Sequence, residues 1–163
     1  MDGENLWGPA FHIAVAGGRA YVCAGRRLND TCVFYVLKGA FSPHLGPGDT
    51  PPQEAVAGRA VLDPQRNVCG RSALCVQPPL AYVVLERHMY AFEPGVIDGS
   101  EPAHPVLLGF CPIGEGVHQY PRAIVAANGF AYIAATLGGV VIVDVSDPKK
   151  PKPAARFKTS TQS

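Results

Sequence analysis

Five cysteines, five histidines and a set of arginines are the residues of this chain that could do chemistry. A zinc site needs ligands at short spacings such as Cys-x2-Cys or His-x3-His. His104, Cys111 and His118 stand seven apart, which fits no such pattern, and neither Cys-x-x-Cys nor His-Glu-x-x-His occurs. Nucleophilic hydrolysis has no better support. Gly70-Arg71-Ser72-Ala73-Leu74 lacks the second glycine of a nucleophile elbow, so Ser72 has no motif behind it. No glycine-rich loop ends in Lys-Ser or Lys-Thr to cradle a phosphate. The expectation is no metal, no cofactor and no catalytic residue.

The charge pattern is equally quiet. A net charge of +1 gives no overall field that selects nucleic acid or an anionic membrane. Lys149, Lys150, Lys152, Arg156 and Lys158 form a basic stretch, but lysine also keeps a sheet edge from pairing with strangers. No apolar run approaches the 18 residues of a membrane-spanning helix. Met1 to Pro9 carries Asp2 and Glu4 and has no apolar core of a signal peptide. A cytosol-like compartment is expected, with Cys23 and Cys75 as small buried hydrophobes and the thiols reduced. Asn29-Asp30-Thr31 is a glycosylation sequon, which has meaning only in a secreted chain.

The elements that must position these residues are strands. Of 163 residues, 18 are glycine and 16 proline, well above the roughly 12% of average usage. Only 17% are charged while 47% are apolar, which argues against both disorder and a helical bundle. No window of a dozen residues keeps the i, i+3, i+4, i+7 apolar spacing without a Gly or Pro inside it.

A repeat organises the strands. Ala-Tyr-Val stands at 20–22 and 81–83, and Ala-Tyr-Ile at 131–133, with spacings of 61 and 50. Before each copy comes an apolar run: Ile13-Ala14-Val15, Leu74-Cys75-Val76 and Ile124-Val125-Ala126. Gly17-Gly18 and Asn128-Gly129 join run to copy and supply the positive φ of a tight hairpin. Pro78-Pro79 cannot make that primed turn, so the second hairpin is predicted to open more widely. Third strands are predicted at Cys32 to Leu37, His88 to Phe92 and Val140 to Val145. Fourth strands are predicted at Glu54 to Leu62, Pro105 to Cys111 and Ala154 to Thr159. Three units of four short strands thus cover about 12–62, 70–113 and 120–160 in one domain. The loops Gly25 to Thr31 and Gly39 to Pro52 account for the longer first spacing.

In the third unit, Ala131-Tyr132-Ile133-Ala134 and then Gly139 to Pro151, reading GVVIVDVSDPKKP, resemble the LVIVD repeat of β-propeller proteins. The second unit reads as a degraded copy, with His88 to Pro94 in place of the IVD strand. The first, Val33 to Leu37, has lost the Asp-Val-Ser-Asp-Pro turn. The resemblance implies an all-β fold, a partial β-propeller of three four-stranded antiparallel blades. It implies no chemistry. Asp144, Ser146 and Asp147 read as acceptors that cap a turn, with Pro148 fixing its φ.

Propeller geometry would gather the loops before strand one and between strands two and three at one end. Arg26, Arg27, Arg66, Arg71, Arg87 and Arg122 fall there, and arginine suits planar contacts to carboxylate or phosphate. Asp30, Asp63, Glu86 and Glu115 share that end, so internal ion pairing competes with binding. The function expected is a non-catalytic binding or scaffold module for protein–protein assembly, with Arg27, Arg71, Arg87, Arg122, His88 and His118 as candidate contacts. The alternative is an enzyme or small-ligand propeller with His88, His118 and Tyr120 at the channel mouth. Propellers have about 4–8 blades. Three need completion by a second copy, making six, or by another protein subunit.

Overall fold

The computed structural model describes residues 10–25, 32–38, 56–63, 72–87, 91–111, 121–136 and 138–158. They form twelve strands, and no helix occurs among the described residues. The first sheet holds β1 (Ala10–Ala16), β2 (Arg19–Gly25), β3 (Cys32–Lys38) and β4 (Val56–Asp63). The second holds β5 (Ser72–Gln77), β6 (Leu80–Arg87), β7 (Ala91–Asp98) and β8 (Val106–Phe110). The third holds β9 (Pro121–Ala127), β10 (Phe130–Ala135), β11 (Gly139–Asp144) and β12 (Lys152–Phe157). Each is an antiparallel meander in chain order.

The local sequence accounts for the hairpins. Gly17 and Gly18 have φ of 56° and 71°, and Asn128 and Gly129 have 52° and 78°. These are the left-handed values that a two-residue turn between twisted strands requires. The second hairpin differs from expectation. Gln77 pairs with Leu80, so its loop also has two residues and is no wider than the others. The chain reverses there through a cis Pro78–Pro79 peptide bond, a turn class in which proline occupies the second central position.

The third strand of the second sheet is also displaced from its expected place. It runs over Ala91–Asp98 and not His88 to Phe92. Pro94 and Gly95 look like breakers, yet β8 reaches only as far as Gly95, so Pro94 faces a single neighbouring strand. Proline is tolerated at such an edge-like position.

Successive sheets lie face to face, with β1 against β5 and β5 against β9. Tyr21, Cys23, Phe34 and Val36 of the first sheet share a buried cluster with Ala81, Val83 and Ile97 of the second. Ala73, Tyr82 and Val84 on the other side of the second sheet pack with Ile124, Ile133, Val141 and Val143 of the third. The alternation of each strand thus supplies two apolar sides, one for each neighbour. Gln77 Nε2 donates to the Ala126 carbonyl and ties β5 to β9. Cys23 is buried and Cys75 half-buried, both as free thiols.

Candidate interaction surface

Strand pairing puts the three tyrosines of the repeat at one position. The rows across the sheets are Ala14–Tyr21–Val36–Gly58, Cys75–Tyr82–Val96–Gly109 and Val125–Tyr132–Ile142–Ala155. Beyond each row the outer pair breaks register at the same step, after Val36, Val96 and Ile142. A bulge at one fixed place is a shared design feature of the three sheets.

The step after that bulge begins a turn. In the third sheet Asp144 Oδ1 accepts from Ser146 N at 3.0 Å and from Ser146 Oγ at 2.5 Å. Lys150 N donates to the Asp147 carbonyl at 3.0 Å, and Val145 N to the Gly129 carbonyl at 2.8 Å. The second sheet repeats this set. Asp98 Oδ1 accepts from Ser100 N at 2.8 Å, His104 N donates to the Glu101 carbonyl at 2.9 Å, and Gly99 N to the Pro79 carbonyl at 2.8 Å. Val-Ile-Asp-Gly-Ser-Glu-Pro-Ala-His-Pro at 96–105 is therefore the counterpart of Ile142 to Pro151. The second unit, expected as a degraded copy with His88 to Pro94 in place of the IVD strand, carries the motif further along, at 96–105. Its Asp-x-Ser-x-Pro-x-x-Pro spacing was visible in the sequence but masked by assigning the strand to His88–Phe92. The first sheet has Lys38 at the aspartate's position.

These turns clamp neighbouring sheets. A Cβ on Gly58 would fall 2.1 Å from the Pro102 carbonyl oxygen, and one on Gly109 would fall 2.7 Å from that of Lys149. Each turn thus lies on the outer strand of the sheet before it. Hydrogen bonds from Ser146 hold the Asp144 carboxyl below its ordinary range, and Lys152, at 3.4 Å, adds a smaller effect. The Ser100 bonds do the same for Asp98. A carboxyl lowered by folding stabilises above its unfolded pKa and loses that contribution as pH falls through the folded value. Asp144→Asn should therefore lower the melting temperature at neutral pH, and its gap to the parent should narrow towards pH 2. A gap constant from pH 7 to pH 2 would refute this role.

The side of the third sheet that carries Tyr132 has no sheet over it among the described residues. Tyr21 and Tyr82 are 4% and 7% exposed, whereas Tyr132 is half-buried and its row partner Val125 is 59% exposed. Burial pushes the Tyr82 phenol up, with a smaller contribution from Cys75. Ala134 is exposed where Cys23 and Val84, at the same register position, are fully buried. Phe157 at the edge is 60% exposed. On the first sheet the opposite side is open along β1. Ile13 and Val15 are 66% and 75% exposed, but their counterparts Ile124 and Ala126 are 5% and 6%. Val61 on the same side is exposed, and Ala20, Val33, Tyr35 and Leu37 between them are buried.

Of the candidate contacts, Arg122 is exposed near the start of β9. Arg87 closes β6 opposite Ala91, at the same end of its sheet relative to the strand order. Arg27, Arg71, His88 and His118 lie outside the described residues, as does Tyr120. His104 is exposed in the turn after β7, and Cys111 is buried after β8. No group of three His, Cys, Asp or Glu side chains among the described residues could hold a metal ion. Ser72 is 2% exposed and its Oγ has no hydrogen-bond partner among the described residues, an enclosed place for a would-be nucleophile. No described helix is long and apolar enough to cross a membrane.

Four strands, a tyrosine on the second, a bulge on the fourth and an Asp-x-Ser-x-Pro turn between the last two now define the third unit. Residues 120–159 match the LVIVD repeat. That repeat is a propeller-type unit, and three four-stranded sheets stacked side by side are consistent with part of a propeller. The second sheet carries a turn of the same Asp-x-Ser-x-Pro spacing at Asp98 to Pro105, outside the matched residues. A comparison with curated proteins finds no match.

Proposed function

We propose that this chain is a non-catalytic binding module whose end sheets mediate protein–protein assembly. One observation carries the reading. Val125, Phe157, Ile13 and Val15 are exposed, whereas the matching positions between sheets are covered or half-covered. Apolar sheet faces of this kind mark sites where another protein binds. The LVIVD match supports a propeller-like module and transfers no chemistry. The test is site-directed photocrosslinking in the native source, with a benzophenone side chain at Val125 and, as reference, at the exposed turn residue Asn128. Position 125 should give protein adducts several-fold above position 128. Equal yields at the two positions would overturn the reading.

A further inference from the structure

Basic charge in this chain collects on one edge strand. Residues 149–158 hold Lys149, Lys150, Lys152, Arg156 and Lys158, five of the chain's 14 basic residues, and no acidic one. β12 ends the strand order of the third sheet, so one row of its backbone N–H and C=O groups has no neighbouring strand among the described residues. All six of its residues are exposed. The outer strands of the other two sheets are partly covered, because a turn of the next sheet lies on Gly58 and Gly109. Ala155 takes that register position in β12, and its Cβ keeps a turn from lying as close.

Lysine often serves to keep an edge from pairing with strangers. The second sheet argues against that explanation here. Its outer strand β8 reads Val-Leu-Leu-Gly-Phe, with Val106 and Phe110 exposed, and carries no charge. Lysines that edge protection alone required would be needed there first. Internal pairing does not account for them either. Lys152 reaches Asp144 at 3.4 Å, whereas Lys149, Lys150 and Lys158 have no ion pair among the described residues.

We infer that β12 takes an extended segment of another protein as a fifth strand, with acidic residues at alternate positions. The edge backbone supplies the pairing, as in other cases of strand addition. The basic side chains select the charge. Pro153 and the bulge beside it interrupt the row, so pairing is set over Ala155 to Lys158, and the segment runs on towards Lys149 and Lys150 in the turn. Side chains of an added strand fall on both sides of the sheet, beside Arg156 on one and beside Ala155 and Phe157 on the other. Acid matches the first side and apolar residues the second, which gives the alternation. An anionic membrane would answer the charge but leave the backbone row unpaired. The edge stands apart from Val125 and the apolar side, so failure of either reading leaves the other standing.

A selection from phage displaying short random peptides, run on the purified 163-residue chain, tests this. The enriched peptides should carry Asp or Glu at alternate positions, with apolar residues or threonine between them. No enrichment, or a consensus without acid, overturns the proposal. A synthetic copy of the enriched peptide should then bind at least about tenfold more weakly, by fluorescence anisotropy, to a chain carrying Lys149→Gln, Lys150→Gln and Lys158→Gln. All three side chains are exposed, so the melting temperature should hold. Unchanged affinity would overturn the charge selection and the proposal with it. The peptide N-methylated at alternate amides keeps its charge but cannot pair as a strand, and one of the two alternate sets should cost about tenfold. If neither set does, charge alone holds the peptide and no strand is added. Tighter binding to phosphatidylserine vesicles than to the peptide would assign the basic edge to a membrane surface, and would equally overturn the proposal.

Discussion

Phe34→Ala is expected to destabilise the chain more than any other single truncation considered. Phe34 is fully buried at the joint between the first two sheets, its ring 6.0 Å from that of Tyr21 and tilted by 32°. Removing such a ring loses its transfer free energy and leaves a cavity that packed strands collapse into only partly, a cost of about 3–5 kcal/mol. At this chain length the melting temperature should fall by roughly 10 °C. Phe110, on β8 and 54% exposed, provides the contrast. Phe110→Ala should shift stability by no more than about 0.5 kcal/mol. Thermal melts followed by circular dichroism read both. If the two variants lose the same stability, the joint between the first and second sheets is not formed in solution.

Gly58→Ala and Gly109→Ala should each destabilise by about 1–3 kcal/mol, through crowding and not through a cavity. Alanine usually stabilises a strand relative to glycine, by roughly 0.5–1 kcal/mol, so the sign of the effect is itself diagnostic. The added methyl would sit 2.1 Å from the Pro102 oxygen in one case and 2.7 Å from the Lys149 oxygen in the other. Both obstacles are backbone of the next sheet, which no rotamer change relieves. Urea unfolding separates the outcomes. A rise in midpoint for either variant would mean that the turn does not lie on that strand.

Much of the fold was legible because it depends on short-range chemistry. Gly17-Gly18 and Asn128-Gly129 carry the positive φ their hairpins need, and the tyrosine repeat marked the second strand of every sheet. The third unit could be read down to its Asp144 turn. Where several signals competed, pairing decided. Pro94 and Gly95 concealed β7, and only its register against β6 aligned Val96-Ile97-Asp98 with Ile142-Val143-Asp144. The candidate site was less legible. Arginine counting drew attention to loop ends, of which Arg122 is the member whose side chain is described, and passed over the sheet sides.

The sequence by itself determined that this chain makes strands, where most of them begin, and which residues bend the chain between them, because hydrogen-bonded turns and period-2 alternation are properties of neighbours along the chain. Tertiary structure alone decided which apolar side is covered. Ile13 and Ile124 are the same residue type at the same register position, and one is open while the other is closed. The physical reason is that burial belongs to a pair of surfaces: Ile124 has the second sheet against it, and Ile13, in a single chain, has no sheet against it among the described residues.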